Sequence, residues 1–580
     1  MNRISLLILT ACCFQISIKS LAQESSASQI AAVIDKEYQE GIKSAKVIGL
    51  AVAVVDNNEV AYMNGFGFSD LANQVEVNPN TVFSIGSCTK TFTALAIMSL
   101  HEKGLLDINE SIKKYIPELT IENRFDDGNE IYIKDILSHL AGLPSDILNG
   151  MAADEGPDMT WTIDELNKQK TISSNRFVFA YSNVGYNLLG ELIERVSGMT
   201  YAEYLKTSIF EPLNMTNTNA GFNESMSKGY DKKKEVKNIG RNVEASGSIN
   251  SSAADMTNFL KMMMGEGSFN GEQIFKKETI TLMQNDYTKG ITLESSDAYG
   301  FGVDVYSIRI GKEDDSRLVE GYGHNGYSPP FHADYRYIPE LNVGVVVMSN
   351  TLKSGSMRSA GVILGSYLKE AKGLSYKLMG KESYIPSNCT ESDIVGKYNL
   401  GVSMIEVKDI EKVKFKVDGV NVVMTRKGDS FDYSLKAKLL GFIPMKIKDV
   451  IFRFVKRGEN VYFTQLDLDR KTEQYVAAKV DQILIPSSWK RICGNYEIVE
   501  TYASSIEEFD FSKAEVKIKE QDGTVMLSIK TPGGKMEYML DVVSDKLAFS
   551  GGVGRHMGYS AEILENGNVY FSGFEFRKRG

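Results

Sequence analysis

The stretch Thr81-Val-Phe-Ser-Ile-Gly-Ser-Cys-Thr-Lys-Thr-Phe-Thr-Ala-Leu-Ala-Ile-Met-Ser-Leu100 decides how the rest of this chain is read. Ser87 is followed three residues later by Lys90. Residues three apart share a helix face, so the lysine amine can reach the serine oxygen. A serine hydroxyl is a weak nucleophile until a neighbouring group takes its proton. The run Thr91–Leu100 reads as a buried helix ending near Gly104. Burial disfavours an ammonium, so Lys90 is expected to act as a base near neutral pH. The helix start would offer backbone N–H groups to an oxyanion. Ser-x-x-Lys also occurs at Ser111–Lys114, Ser225–Lys228, Ser366–Lys369 and Ser487–Lys490, in charged or loop-like contexts or near a helix end. The companions of Ser87 are what set it apart.

The first companion is Tyr181-Ser-Asn183, on a loop before an amphipathic helix with Leu188, Leu189, Leu192, Ile193 and Val196 on one face and Gly198 as its stop. A tyrosine beside a cationic lysine can exist partly as phenolate, which makes Tyr181 a candidate general base. The Asn183 amide can both donate to and accept from a substrate. The second companion is His324-Asn-Gly326, read as a Gly/Tyr-rich turn ahead of two strands, Phe331–Tyr337 and Val343–Met348. Gly326 would let a substrate backbone approach a strand edge closely.

The ordered trio resembles the serine beta-lactamase and penicillin-binding protein superfamily, in its class C-like branch. That branch carries Ser-x-x-Lys, then Tyr-x-Asn, then Lys-Thr-Gly or His-x-Gly. Gly49–Asp56, Ile133–Pro144, Ser246–Met256 and Tyr299–Gly302 also look like the family's, so the similarity covers about residues 30–370. The resemblance implies Ser87 as nucleophile and Lys90 as acylation base or as the partner that polarises Tyr181. It implies Tyr181 as proton shuttle, Asn183 as substrate holder, and the N–H groups of Ser87 and Tyr327 as the oxyanion hole. His324 would line the strand edge. Class C enzymes carry lysine where this chain has His324, a permanent cation that anchors a substrate carboxylate. Histidine is mostly neutral near pH 7, so efficient beta-lactamase action is disfavoured.

Composition and termini bound the setting. Residues 1–22 read as a secretory signal, with Arg3, an apolar stretch from Ile4 to about Ile18, and Ser20-Leu-Ala22 as cleavage site; lipoprotein anchoring at Cys12 is the rival. The protein is therefore expected to be exported, periplasmic or extracellular. No later run of eighteen apolar residues suggests a membrane span. The net charge of −10 argues against nucleic acid. The histidines at 101, 139, 324, 332 and 556 show no metal-ligand spacing, and neither metal nor cofactor is expected. Cys88 reads as a packing residue, and Cys389 with Cys493 could pair if their distance allows.

The fold class expected is α/β, or α+β: an antiparallel sheet with a helical subdomain, as in the beta-lactamase/penicillin-binding-protein fold, followed by all-β barrel-like repeats. Helix-like Gln29–Gly41 and a hairpin of Ile48–Val55 with Glu59–Gly65 open it, and strands return near Phe301–Ile310. Past residue 375 a repeat shows: Ile-Pro-Ser at 385–387 and 485–487, Gly-x-Tyr at 396–398 and 494–496, Asn-Val-Tyr-Phe at 460–463 and 568–571. The boundaries read are signal 1–22, catalytic domain 23–373, linker 374–388, and repeats 389–484 and 485–580. The function expected is a secreted serine hydrolase that acylates Ser87 and cleaves a small-molecule or peptide ester or amide. An acyltransferase with an alcohol or amine acceptor is the alternative. A penicillin-binding or beta-lactamase-like protein, or a non-enzymatic receptor for cell-wall peptides, comes next. The oligomeric state is left open.

Overall fold

The alternation in Gly49-Leu-Ala-Val-Ala-Val-Val-Asp56 puts successive side chains on opposite faces, and both faces are apolar. A strand patterned this way is stable only when covered on both sides. In the computed structural model this is so for β1 (Gly49–Asp56). Ala51, Ala53 and Val55 pack into one core, and Leu50, Val52 and Val54 into another. The structure describes residues 47–580 and a few residues between 31 and 35, apart from short segments, the longest being 154–159, 237–243, 353–358, 380–386 and 505–509. The signal read at 1–22 and most of the helix read at Gln29–Gly41 lie outside the described residues.

β1 turns through Asn57 and Asn58, both at positive φ, into β2 (Glu59–Asp70), which is followed by β3 (Val75–Glu76). The central helix α1 (Thr89–Glu102) is buried from Thr89 to Leu100, as its all-round apolar surface requires. α2 (Asn183–Ser197) is capped by the Ser182 hydroxyl and stopped by Gly198. α3 (Ala253–Met264) covers one face of the sheet. Then come β4 (Asp304–Ile310), β5 (Arg317–Ser328), β6 (Phe331–Ile338) and β7 (Val343–Ser349). α4 (Ala360–Lys372) covers the other face, and β8 (Tyr376–Met379) follows. The sheet runs β8-β4-β5-β6-β7-β1-β2-β3, with its strand pairs antiparallel.

Two sequence expectations are corrected here. His324-Asn-Gly326 is not in a turn but in β5, with His324 opposite Tyr335 and Gly326 opposite Ala333. Cross-strand pairing holds it extended, which its glycines would not do alone. The stretch read as linker, 374–388, contributes β8 to the sheet edge beside β4. Between β6 and β7, Pro339–Leu341 form a short 3-10 helix closed by Asn342 in the left-handed region.

The C-terminal half is all strand apart from short helices and turns. Eight strands between Gly396 and Val480 form one sheet, and eight between Gly494 and Lys578 form a closed barrel. The sequence repeat maps onto equivalent places. Tyr398 and Tyr496 are both fully buried, and each donates its hydroxyl to the carbonyl four residues back, Ile394 and Ile492. Cys389 and Cys493 sit one in each unit as free thiols and do not pair. Among the described residues, no helix is long and apolar enough to cross a membrane.

Candidate active site

Ser87 lies in a 3-10 turn, Gly86–Cys88, that feeds α1. The turn works because Gly86 has φ +51 and because no side chain stands between it and β5. A Cβ on Gly86 would lie 2.8 Å from Tyr327 N, and one on Gly326 would lie 1.8 Å from Ile85 O and 3.0 Å from Ser87 N. Real Cβ atoms do not approach so closely, so the two glycines let the turn and the strand meet backbone to backbone. This places the N–H groups of Ser87 and Tyr327 in one small region. β4 begins opposite Gly323, so the segment 324–328 has one edge that β4 does not pair.

Lys90 is fully buried one turn along α1. Its Nζ lies 3.5 Å from Ser87 Oγ and donates to Asn183 Oδ1 at 2.6 Å and to the Ser246 carbonyl at 2.8 Å. Three acceptors match the three N–H groups of an ammonium. Asn183 is held from its other end, where Nδ2 donates to Asp146 Oδ1 at 2.6 Å. The sequence reading missed Asp146 and gave Ser246, the first residue of a family-like stretch, no role, since one contributes through a second residue and the other through its backbone.

The Tyr181 ring lies 4.8 Å below Lys90 Nζ. Its hydroxyl is enclosed and has no hydrogen-bond partner of acceptable geometry, although Ser87 is near enough to favour the phenolate. Burial dominates and pushes the Tyr181 phenol well above its ordinary value; the cation that opposes this is Arg555. Burial therefore opposes the partial phenolate that the sequence suggests for Tyr181. Desolvation by the surrounding rings outweighs the cationic field. Those rings include His139, 4.3 Å from Tyr181 between centres. His139, which lies in the family-like stretch Ile133–Pro144 but was given no role there, accepts from the Ser182 N–H at 3.0 Å through Nδ1.

His324 is 3 % exposed. Its Nδ1 lies 2.6 Å from the Asn325 carbonyl and its Nε2 3.1 Å from the Tyr299 hydroxyl. The carbonyl accepts only, so Nδ1 carries the proton and Nε2 accepts from Tyr299. Burial, with Lys90 nearby, lowers the His324 pKa to about 3, so the ring is neutral. Cys88 is enclosed, with Sγ 3.3 Å from the His324 carbonyl, and burial pushes its thiol up. It packs rather than reacts. The structure thus brings Ser87, Lys90, Tyr181, Asn183, His324, Gly326 and Tyr327 to one place.

With this fold and this geometry, the sequence match is decisive for class. Residues 34–364, more than half of the chain, match the beta-lactamase family, and the chain belongs to that family. It is 33% identical over 210 residues to the protein flp of Staphylococcus aureus (strain MRSA252), covering 35% of this chain and 40% of that protein. The match thus spans well under half of that relative's own length. Among solved structures, an octameric penicillin-binding protein homologue from Pyrococcus abyssi is 25% identical with a TM-score of 0.50, covering 78% of this chain and 100% of that one. SurE has the same fold at 19% identity and a TM-score of 0.58, again over 78% and 100%.

Proposed function

We propose that this protein is a serine hydrolase that forms an acyl-enzyme on Ser87 from an ester or amide and releases it to water. The observation that carries this reading is the placement of the Lys90 amine, whose Nζ lies 3.5 Å from Ser87 Oγ while it is held by Asn183 Oδ1 and the Ser246 carbonyl. Lys90 orients the serine oxygen and stabilises its developing negative charge. The unpartnered Tyr181 hydroxyl then works as a two-way relay. As Ser87 Oγ bonds to the carbonyl carbon, its proton passes to Tyr181 Oη while the phenol's own proton moves to the leaving oxygen or nitrogen. No free phenolate is needed, which suits a phenol whose pKa burial has raised. The Ser87 and Tyr327 N–H groups hold the oxyanion. In the second half, water attacks the ester carbon, its proton travels back through Tyr181, and Ser87 regains its hydroxyl as the acid departs.

The test is intact-mass analysis after treatment with a fluorophosphonate, followed by a screen of short esters, D-amino-acid amides and penicillins, with and without an alcohol or amine acceptor. One adduct on the Ser87 peptide is expected, absent in Ser87→Ala, with turnover down by about a thousandfold or more. Labelling that survives in Ser87→Ala would overturn the assignment. Transfer to the acceptor in preference to water would make the enzyme an acyltransferase.

A further inference from the structure

One side chain at this site comes from the far end of the chain. Arg555 belongs to the closed C-terminal barrel, on the loop between its strands Leu547–Ser550 and Ser560–Ile563. Its guanidinium lies 4.6 Å from the centre of the Tyr181 ring. The loop is clasped in place. The His556 N–H donates to Ser145 Oγ at 2.9 Å, and His556 Nδ1 lies 3.3 Å from the Asp146 carboxylate. Gly558 sits against Ile172, where a Cβ would come within 2.8 Å of the isoleucine's own. Asp146 is the same residue that holds Asn183, so one carboxylate lies between the barrel loop and the Asn183 amide.

The basic groups here are unequal. Lys90 is enclosed and engaged by Asn183 and Ser246. His324 is enclosed, neutral and engaged by Tyr299 and Asn325. Arg555 is exposed, and among the described residues no carboxylate lies within ion-pair reach of it. A guanidinium over an aromatic ring keeps the N–H groups in its own plane available, and their fork matches the two oxygens of a carboxylate.

Resting on the reading of Ser87 as the acylated residue, we infer that Arg555 is a specificity-determining residue that receives a carboxylate on the substrate. The anchor that a lysine on β5 would supply is moved to the barrel. His324 therefore does not exclude acidic substrates, and the barrel is part of the binding site.

The test uses the full chain and two matched pairs of activated esters. One pair carries or lacks a carboxylate on the acyl side (para-nitrophenyl hemiglutarate and pentanoate). The other does so on the leaving side (meta-carboxyphenyl and phenyl acetate). Acylation rates are read for wild type, Arg555→Gln and Arg555→Lys. In at least one pair, Arg555→Gln should lower the acid-to-neutral rate ratio by about fivefold or more, with Arg555→Lys between it and wild type. Ratios within about twofold of wild type in both pairs would overturn the proposal while leaving the acyl-enzyme intact. Absence of any Ser87 adduct by mass would instead overturn the acyl-enzyme reading, and this proposal with it.

Discussion

Asn183 is held at both ends of its amide, and that settles which end faces Lys90. Nδ2 donates to Asp146 and Oδ1 accepts from Lys90, each at 2.6 Å. A reversed amide would set N–H groups against N–H groups. Asp146→Ala releases the constraint and should slow Ser87 labelling by about tenfold or more, as loss of a hydrogen bond to a charged group does. A rate close to wild type would show that the orientation is set elsewhere. His324 makes a prediction about pH. The folded state keeps its ring neutral down to about 3, whereas the unfolded chain takes up the proton near 6.5. Below that value the unfolded state binds more protons, so this contribution to stability is present at neutral pH and lost as pH falls toward 3. The loss should reach about 2 kcal/mol by about pH 5. In denaturant titrations, His324→Gln should therefore be less costly at about pH 5 than at about pH 7.5, by about that amount. An equal cost at both values would show that His324 does not titrate as its burial demands.

The turn before α1 and the strand β5 meet through two glycines, and the meeting is steric before it is chemical. Gly326→Ala would drive a methyl into the Ile85 carbonyl and the Ser87 N–H, pushing β5 off the turn. The expected result is a fall in acylation rate by about a hundredfold, the scale on which oxyanion donors act, in a protein that still unfolds cooperatively. Stopped-flow acylation with a small activated ester, read beside a thermal melt, separates the two effects. An acylation rate near wild type would mean that Tyr327 N is not a donor to the oxyanion.

The closed barrel and the domain that carries Ser87 meet through more than one loop. Leu148 donates its N–H to Ser572 Oγ, and Asn149 donates its backbone N–H to the Ser572 carbonyl. The Asn149 side chain donates to the carbonyls of Gly573 and Glu500 and accepts from Thr501 and Tyr502. Tyr570 donates to the buried Glu165 and accepts from Gln169. The contacts of Leu148 and Asn149 hold the segment 145–149, and the Asn183 N–H donates to the Ser145 carbonyl at 2.8 Å. Asn149→Ala in the full chain should cost about 1–3 kcal/mol through the polar groups left unpaired. It should also raise amide exchange at 145–149 and 572–573 together. Exchange that rises on one side alone would mean that the two domains are not coupled there. A chain ended near Gly373 loses β8 from the sheet edge and every contact to segment 145–149 from the barrel. It should label at Ser87 more slowly than the full chain.

Much of this was legible in the sequence, for one kind of feature. The Ser87–Lys90 spacing, the two-faced apolar alternation of β1, the stop of α2 at Gly198 and the repeated Gly-x-Tyr are written within a few residues, because helix pitch, strand alternation and capping are local. What was not legible depends on residues that meet only when the chain is folded. His324-Asn-Gly326 looks like a turn by composition and becomes strand because β6 pairs with it. The phenol of Tyr181 is kept from ionising by rings gathered from separate segments, so no neighbour in sequence could report its proton affinity. Arg555 carries no motif and reaches Tyr181 only because the barrel docks on Ser145 and Asp146. Local order therefore set the Ser87–Lys90 pairing and the sheet, while desolvation and domain docking set the charge states and the walls of the candidate site.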